Sequence, residues 1–271
     1  MELEFYKYSG AGNDFIAINN MDGRIPEAGR RERVADWCRR GMSVGADGVL
    51  LIEPPAGDGF DFRMRYYNAD GSEGETCGNG SRCIARFAMQ QGIARSETRF
   101  ETMAGPYEAV AVENEIRVSM TDAFGIREGI KIMDDVFEGE VHFLNTGVPH
   151  VVVFVDDVDG VDVFNVGRHL RRHAEFQPAG ANVNFVRVRD PRNIEVRTYE
   201  RGVENETLAC GTGSIAAAII AVRNGLAEAP VRVKTASGEI LTIGFEPTAG
   251  GAKNVTLQGS ARLVFRGYMC L

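Results

Sequence analysis

Two stretches, CGNGSRCIARFAMQQGI (residues 77–93) and CGTGSIAAAIIAVRNGL (residues 210–226), set the organisation of this 271-residue chain. Both begin with Cys-Gly-x-Gly-Ser, and they share alanine and glycine positions further on at one offset of 133 residues, the difference between positions 77 and 210. A glycine-rich turn before a run of helix-forming residues predicts a helix start. Gly92 and Gly225 suit the position that follows a helix C-terminus. The sequence therefore predicts two long helices in equivalent places.

The similarity continues on both sides of these helices. FETMAG (100–105) matches VKTASG (233–238) at the same offset, and RMRYYNADG, GADGVLLIE and SGAGNDFIAI have counterparts in EVRTYERG, GANVNFVRV and NTGVPHVVVFV. Blocks repeated in the same order indicate a duplicated structural unit. We therefore predict an N-terminal lobe over residues 1–122 and a C-terminal lobe over 123–271.

The segments between the helices are typical of strands. They alternate or carry β-branched residues, as in FDFRMRYY and IEVRTYE. The helix from residue 211 is apolar on most sides, which predicts that it is enclosed, and shorter helices are predicted at about 30–39 and 162–171. The fold class is α+β, with two pseudo-symmetric lobes, each a strongly curved, mostly antiparallel sheet or barrel around a central helix.

Composition excludes several classes of partner. The net charge is −8, and there is no long run of Lys and Arg, so neither nucleic acid nor a membrane surface is a predicted partner. No apolar stretch approaches the roughly 20 residues that span a bilayer, and the N-terminus lacks a signal-peptide pattern, so we expect a cytoplasmic protein. Five cysteines without an export signal predict thiols rather than a disulfide framework.

The repeat distinguishes the cysteines from one another. Cys77 and Cys210 occupy equivalent positions, whereas the counterpart of Cys83 is Ala216, so Cys83 is predicted to be a packing residue. A thiol at a helix N-terminus has its pKa lowered from about 8.5 and becomes a competent proton donor or acceptor. If the halves face each other across a cleft, the two thiols can act on opposite faces of one carbon. That arrangement suits a racemase or epimerase.

Other functions of these cysteines and glycine-rich turns fit the sequence less well. A zinc site prefers closer cysteine pairs, and a redox dithiol prefers Cys-x-x-Cys, so no metal is predicted. The CGNG and CGTG turns lack the Walker lysine and the dinucleotide fingerprint, which argues against a nucleotide loop. A non-catalytic amino-acid-binding protein with inert thiols stays open as an alternative.

Longer motifs add a resemblance to a known family. NADGSEGETCGNGSRC (68–83) and YERGVENETLACGTG (199–213) resemble the diaminopimelate epimerases, and GAGNDF, GADGVLLIE, GVPH and NVNFV extend the similarity over most of the chain. The resemblance implies interconversion of LL- and meso-diaminopimelate without a cofactor, for lysine and peptidoglycan biosynthesis. The alternative on the same fold is another cofactor-independent racemase, for proline or histidine. The implied partner is a small amino-acid substrate, and a homodimer is left open.

The resemblance also implies roles for individual residues. It makes Cys77 and Cys210 the catalytic thiols, and His150 and Glu200 the polar pair that sets their ionisation. The substrate-binding residues that it implies are Asn13, Asn68, Gly78, Asn79, Asn182, Glu200, Arg201, Gly211 and Thr212, with Arg201 as the anchor of the distal carboxylate. Two positions depart from the family, because Val148 and Gly48 stand where some members carry Asn and Gln. The family's side-chain contacts at those two positions are therefore not carried over to this chain. The resembled fold also implies that a last strand, at about 260–271, returns to the first lobe.

Overall fold

A computed structural model describes residues 2–74 and 77–270, so Glu75 and Thr76 of the first turn motif lie outside the described residues. The chain divides into two compact units. The first runs to Ser119 and resumes at Gln258, and the second covers Met120–Leu257. Within the described ranges, none of the helices combines the length and apolar character needed to cross a membrane.

The first unit contains eight consecutive strands, two helices and the last strand of the chain. In chain order these are β1 (Glu2–Gly10), β2 (Asn13–Asn19), α1 (Arg30–Trp37), β3 (Gly48–Glu53), β4 (Phe62–Asn68), β5 (Glu73–Gly74), α2 (Gly78–Gln90), β6 (Glu97–Thr102), β7 (Gly105–Val112), β8 (Glu115–Ser119) and, at the other end of the chain, β18 (Arg262–Cys270).

The second unit repeats this plan. Its elements are β9 (Phe124–Met133), β10 (Glu138–Asn145), β11 (Pro149–Phe154), α3 (Val163–Arg172), a 3₁₀ turn (Ala174–Phe176), β12 (Asn182–Asp190), β13 (Asn193–Glu200), β14 (Asn205–Thr207), α4 (Gly211–Arg223), β15 (Val231–Lys234), β16 (Ile240–Thr248) and β17 (Gly251–Ser260), whose final residues lie beyond Leu257.

Strand pairing confirms the internal repeat. In the first unit β1 pairs antiparallel with β2, β2 parallel with β3, β3 antiparallel with β4, β4 parallel with β6, and β6 antiparallel with β7. In the second unit the same sequence of antiparallel and parallel pairings runs through β10, β11, β12, β13, β15 and β16. Two halves with one topology are what a duplicated sequence should produce.

The strands of each unit surround one long helix, as the α+β prediction requires. Helix α2 packs against β1, β2, β3, β4, β7 and β8, and α4 packs against β10, β11, β12, β13, β15 and β16. Of the 13 residues of α4, all but Thr212, Val222 and Arg223 are buried, which confirms that this apolar helix is enclosed. Both helix ends are where glycine predicts them, since Gly92 and Gly225 adopt φ of +71° and +69° just beyond the C-caps.

Strand β9 has no predicted counterpart in the sequence, whereas β18 corresponds to the last strand expected at about 260–271. β18 pairs antiparallel with β1 over its whole length, from Glu2 opposite Cys270 to Ser9 opposite Arg262. β9 pairs with β10 in the second unit. The two strands therefore occupy equivalent edges, each beside the first strand of its repeat, although their sequences show little alternation.

The packing of α3 gives a first prediction. A Cβ atom at Gly167 would lie 2.5 Å from Cβ of the buried Tyr199. Alanine improves helix propensity by about 1 kcal/mol, but overpacking costs about 1 to 3 kcal/mol, so packing should prevail. We expect Gly167→Ala to lower the free energy of unfolding in urea by up to about 2 kcal/mol. The exposed Arg168→Ala is the matched control and should be nearly neutral; an unchanged or raised stability of Gly167→Ala would show that α3 can move away from Tyr199.

Candidate active site

The sulfur atoms of Cys77 and Cys210 cap the two long helices. Both cysteines have extended backbone, with φ of −149° and −115°, and stand immediately before the first helical residue. The Gly80 N–H donates to Sγ of Cys77 at 3.4 Å, and the Gly213 N–H donates to Sγ of Cys210 at 3.4 Å. These are the contacts of an N-cap side chain with the third helical residue. Hydrogen-bond donation and the helix dipole both favour negative charge on each sulfur.

The third helical position is closely packed in both turns, and at Gly213 it leaves no room for a side chain. A Cβ atom at Gly213 would lie 2.2 Å from Oδ1 of Asn184, and one at Gly80 would lie 3.2 Å from Cδ2 of Leu50. The start of each helix therefore lies directly against the third strand of its repeat. The repeated glycine of the Cys-Gly-x-Gly pattern is explained by this close approach.

A hydrogen-bonded network of side chains holds the turn at the start of α2. Arg82 is completely buried and donates to Oδ1 of Asn79 at 3.0 Å, to the Gly78 carbonyl at 3.2 Å and to the Ser260 carbonyl at 3.3 Å. Nδ2 of Asn79 in turn donates to Oδ1 of Asn13 at 2.6 Å. A buried guanidinium thus secures the substrate-binding residues predicted at the start of α2.

The residues that flank Asn79 and Asn13 in this hydrogen-bond network fix the orientation of both amides. Arg82 can only donate, so it faces the oxygen of Asn79, and a carboxylate can only accept, so Asp47 faces Nδ2 of Asn13 at 3.1 Å. Asp47 is itself paired with Arg40 at 2.8 Å. Asn13 therefore keeps one N–H for a ligand, and an N–H is suited to a carboxylate oxygen.

Asn68 lies at the end of β4 and is held by its neighbours. Its Oδ1 accepts from the Tyr66 hydroxyl at 2.7 Å, and its Nδ2 donates to Oγ of Ser72 at 3.1 Å. Among residues 2–74 and 77–270, these contacts leave a single N–H of the amide available. The structure thus orients Asn68 through the turn that follows β4 rather than through the Cys77 turn.

His150 on β11 lies fully inside the second unit. Its side chain is completely buried, and burial, with a smaller effect from the Arg201 charge, lowers the pKa of its imidazole from 6.5 to about 3. The ring is therefore neutral in the neutral pH range. Because β11 and β12 are parallel and His150 stands opposite Asn182, the histidine shares its level of the sheet with a predicted substrate-binding residue.

Asn182, Glu200 and Arg201 lie at adjacent strand ends. Oδ1 of Asn182 accepts from the Arg201 backbone N–H at 2.8 Å, and its Nδ2 donates to the Pro149 carbonyl at 3.3 Å. Arg201 donates from Nη1 to the Ala179 carbonyl at 2.9 Å, which leaves other N–H groups of the guanidinium for a ligand. Burial raises the pKa of the Glu200 carboxyl, and the Thr207 hydroxyl opposes part of that rise.

Thr212 differs from its counterpart in the first turn. Its hydroxyl lies 3.4 Å from Sγ of Cys210, and its carbonyl accepts from the Thr146 hydroxyl at 3.2 Å. Asn79, at the equivalent position, instead points its amide to Asn13. The two thiols thus share backbone geometry and differ in the side chains around them.

Asn184 was missed by the sequence analysis. Its completely buried side chain lies 3.2 Å from Nδ1 of His150, donates to the Val151 carbonyl at 2.9 Å and accepts from the Thr198 hydroxyl at 3.0 Å. It also lies against Gly213, as described above. The alternation of NVNFV places Asn182 and Asn184 on one face of β12, which was the available signal.

Gly48 and Val148 have different surroundings. A Cβ atom at Gly48 would lie 2.5 Å from the Tyr67 carbonyl oxygen, so no side chain fits there without a shift of β4. Val148 lies in the turn before β11, where its carbonyl accepts from the Thr146 N–H at 3.1 Å. At position 48 the family difference therefore has a packing reason in this chain.

Solved structures share this fold at low sequence identity. A probable proline racemase from Agrobacterium radiobacter K84 superposes with a TM-score of 0.72 at 15% identity, covering 99% of this chain and 93% of that one. A phenazine biosynthesis protein of the PhzF family from Enterococcus faecalis gives 0.73 at 16% identity and covers both chains completely. These likenesses concern the fold alone.

Sequence relatives are much closer. The chain matches the diaminopimelate epimerase family over residues 5–124 and 142–263. It is 46% identical to a diaminopimelate epimerase of Aquifex aeolicus, over 98% of this chain and 97% of the relative, and 42% identical to one of Chlorobaculum tepidum, over 97% and 100%. With two thiol-capped helices in a duplicated fold, the chain is an isomerase of the racemase and epimerase class. Within that class it belongs to the diaminopimelate epimerase family.

The buried guanidinium of Arg82 gives the second prediction. Arg82→Met keeps the volume but leaves the oxygens of Asn79, Gly78 and Ser260 without this donor. An unsatisfied buried polar group costs about 1 to 3 kcal/mol, so we expect the free energy of unfolding to fall by about 3 kcal/mol or more. The matched control, Arg86→Met on the same helix, removes one hydrogen bond to the Glu115 carbonyl and should cost about 1 kcal/mol. Equal losses in the two variants would contradict the role given to Arg82.

Proposed function

We propose that this chain converts LL-diaminopimelate to meso-diaminopimelate by two-base proton transfer, with Cys77 and Cys210 as the bases. The observation that carries the proposal is that both sulfurs cap a buried helix through the same N–H contact, one in each unit. We infer that the two compact units are the two lobes predicted from the repeat. The family match supports the substrate and the reaction.

The proton transfers balance without a further reagent. One cysteine, as thiolate, takes the α-proton, so the C–H bond breaks and its electron pair stays on the α-carbon. The other cysteine, as thiol, delivers its proton to the opposite face, which inverts the centre and leaves that sulfur as thiolate. The mechanism requires that both thiols reach one α-carbon from opposite sides. No step in it calls for a cofactor or a metal.

The starts of the two helices suit the carboxylate at the reacting carbon. The first N–H groups of a helix have no acceptor within the helix, and in these helices they belong to Gly78 and Asn79, and to Gly211 and Thr212. Donors directed at a carboxylate also stabilise the enediolate-like charge that develops when the α-proton leaves. We propose that these backbone groups hold that carboxylate.

His150 and Glu200 are proposed to set the ionisation of the thiols. Burial moves the two groups in opposite directions, lowering the pKa of the histidine and raising that of the carboxyl. Both shifts favour the uncharged form of each group. If both neighbours are uncharged, the only charges in the proposed reaction are those of the reacting thiolate and of the substrate.

The remaining polar residues are proposed to recognise the rest of the substrate. Arg201 has the donor fork that suits the distal carboxylate. Asn13, Asn68 and Asn182 each have an amide oriented by neighbouring groups, with N–H capacity left for a ligand. Preorganised amides bind without the entropy cost of ordering a free side chain.

The third prediction tests the two bases. With LL-diaminopimelate in heavy water and no added cofactor, the unmodified protein should place deuterium at the α-carbon as meso product forms. Cys77→Ala and Cys210→Ala should each abolish full turnover, because a single thiol cannot both remove and return the proton on opposite faces. Isotope incorporation and stereochemistry are measured by NMR and chiral chromatography. Cys83→Ala is the matched control, since it truncates a buried thiol on the same helix and should lower stability but not turnover. Normal epimerisation by Cys77→Ala would refute the assignment.

A cytoplasmic location stays a prediction. The sequence leaves a homodimer open, and the fourth prediction concerns it. Strand β18 exposes Leu263, Val264, Phe265 and Tyr268. A second copy of the chain would cover this apolar edge strand. We expect a dimer in sedimentation equilibrium and a shift towards monomer in a Phe265→Lys, Tyr268→Lys double variant. Replacing exposed Phe124 and Met133 of β9 by Lys is the control. A monomeric parent protein would contradict the prediction.

A further inference from the structure

The surroundings of His150 specify which ring nitrogen carries its proton. The inference rests on the proposed function, in which this histidine acts on a catalytic thiol. The ring is completely buried, and Asn184 is the neighbour of its Nδ1 atom, at 3.2 Å. The two possible tautomers would present opposite chemistry at this contact, because Nδ1 can accept in one and donate in the other.

Asn184 resolves the choice because its amide can sit in only one orientation. The Val151 carbonyl, 2.9 Å away, is an obligate acceptor, so the group that faces it must be Nδ2. The Thr198 hydroxyl then donates to Oδ1 at 3.0 Å. A flipped amide would place oxygen against oxygen at Val151 and would leave both buried groups unsatisfied.

The orientation of the amide determines the tautomer of the histidine. One hydrogen of Nδ2 goes to Val151, and the other is directed at Nδ1 of His150, which must therefore accept. A neutral imidazole that accepts at Nδ1 carries its proton at Nε2. Nε2 is buried and has no hydrogen-bond partner among residues 2–74 and 77–270.

We infer that Asn184 is a positioning residue that holds neutral His150 as the Nε2–H tautomer and so keeps one buried N–H donor for the reaction. In the proposed reaction the acceptor of this N–H is an anionic group that forms during turnover. Asn184 also lies against Gly213, whose N–H donates to the Cys210 sulfur. One amide thus supports both the histidine and the turn that carries the thiol.

The tautomer can be measured without any assay of activity. In ¹⁵N-labelled protein at pH 7, long-range ¹H–¹⁵N correlation separates protonated from unprotonated ring nitrogens. We expect His150 to be neutral with its proton on Nε2. His142 is an internal reference, because its Nδ1 lies 3.4 Å from the Gly129 N–H as an acceptor. A wild-type spectrum with His150 as imidazolium or as the Nδ1–H tautomer would overturn the inference, whether or not any variant folds.

Asn184→Asp reverses the chemistry at this contact with little change in volume. The oxygen that replaces Nδ2 can carry one hydrogen at most, and the Val151 carbonyl requires it. Only lone pairs then face Nδ1 of His150, so Nδ1 should take the proton and Nε2 should lose it. We expect the His150 signals to report the reversed tautomer while those of His142 stay unchanged. Because the wrong tautomer removes the donor, kcat should fall by about 100-fold or more, with a smaller change in KM. An unchanged His150 tautomer in this variant would contradict the role of Asn184.

Thr198→Val is the matched control. It removes the hydrogen bond to Oδ1 but leaves the Val151 carbonyl, which by itself fixes the amide. The variant should lose stability and keep the Nε2–H tautomer. The outcomes also separate this inference from the proposed function. The expected tautomer together with an active Cys77→Ala protein would reject the two-base reaction and leave the tautomer assignment standing. An inactive Cys77→Ala protein together with the Nδ1–H tautomer would reject the tautomer assignment and leave the two-base reaction standing.

Discussion

The capping of a helix by a cysteine sulfur is the contact on which the rest of each unit depends. The sulfur can accept the N–H of the third helical residue only if the cysteine is extended and the turn is tight. In the second unit, this turn lies so close to β12 that a side chain at Gly213 would collide with Asn184. Helix, sheet and thiol are therefore fixed together, and a shift of any one of them would move the sulfur.

The two repeats share the sulfur cap, but the side chains that pack behind the capped turn differ between them. Behind the first turn stands a buried cation, Arg82, connected through Asn79 and Asn13 to Asp47. Behind the second turn stand the neutral side chains of Asn184 and His150. One topology thus supplies two sulfurs with the same backbone geometry and different electrostatic surroundings. A reaction whose substrate and product differ in configuration at one carbon gives the two bases different tasks, and the difference behind the turns is consistent with that.

Much of the fold could be predicted because it is encoded locally and twice. The Cys-Gly-x-Gly turns and the glycines at 92 and 225 mark both ends of each long helix. Strand β18 was expected only from the family resemblance, because its side chains are largely exposed and its stability comes from pairing with β1 at the other end of the chain. Pairing over such a sequence separation leaves no local pattern.

The same limit applies to the site. The thiols stand in repeated motifs, but Arg82 would ordinarily be read as a solvated residue near a helix start. Its burial depends on the Ser260 carbonyl, which only the folded chain brings to it. Asn184 looks like any polar residue of an alternating strand until Val151, Thr198 and His150 surround it. Residues that act through others are defined by tertiary contacts, so a single sequence gives them little signal.

A neutral histidine has a physical advantage beside a thiolate that must act as a base. An imidazolium would form a charge-assisted hydrogen bond worth about 1.5 to 3 kcal/mol, against about 1 kcal/mol for a neutral donor. Since about 1.4 kcal/mol corresponds to one pKa unit, the charged partner would lower the basicity of the sulfur by about one unit. The α-proton of an amino acid is a weak acid, so that loss would fall directly on the rate of its removal. Burial of His150, which lowers its pKa, and an amide that fixes its tautomer together provide a neutral donor, and in the proposed reaction such a donor would not lower the basicity of a thiolate as a cation would.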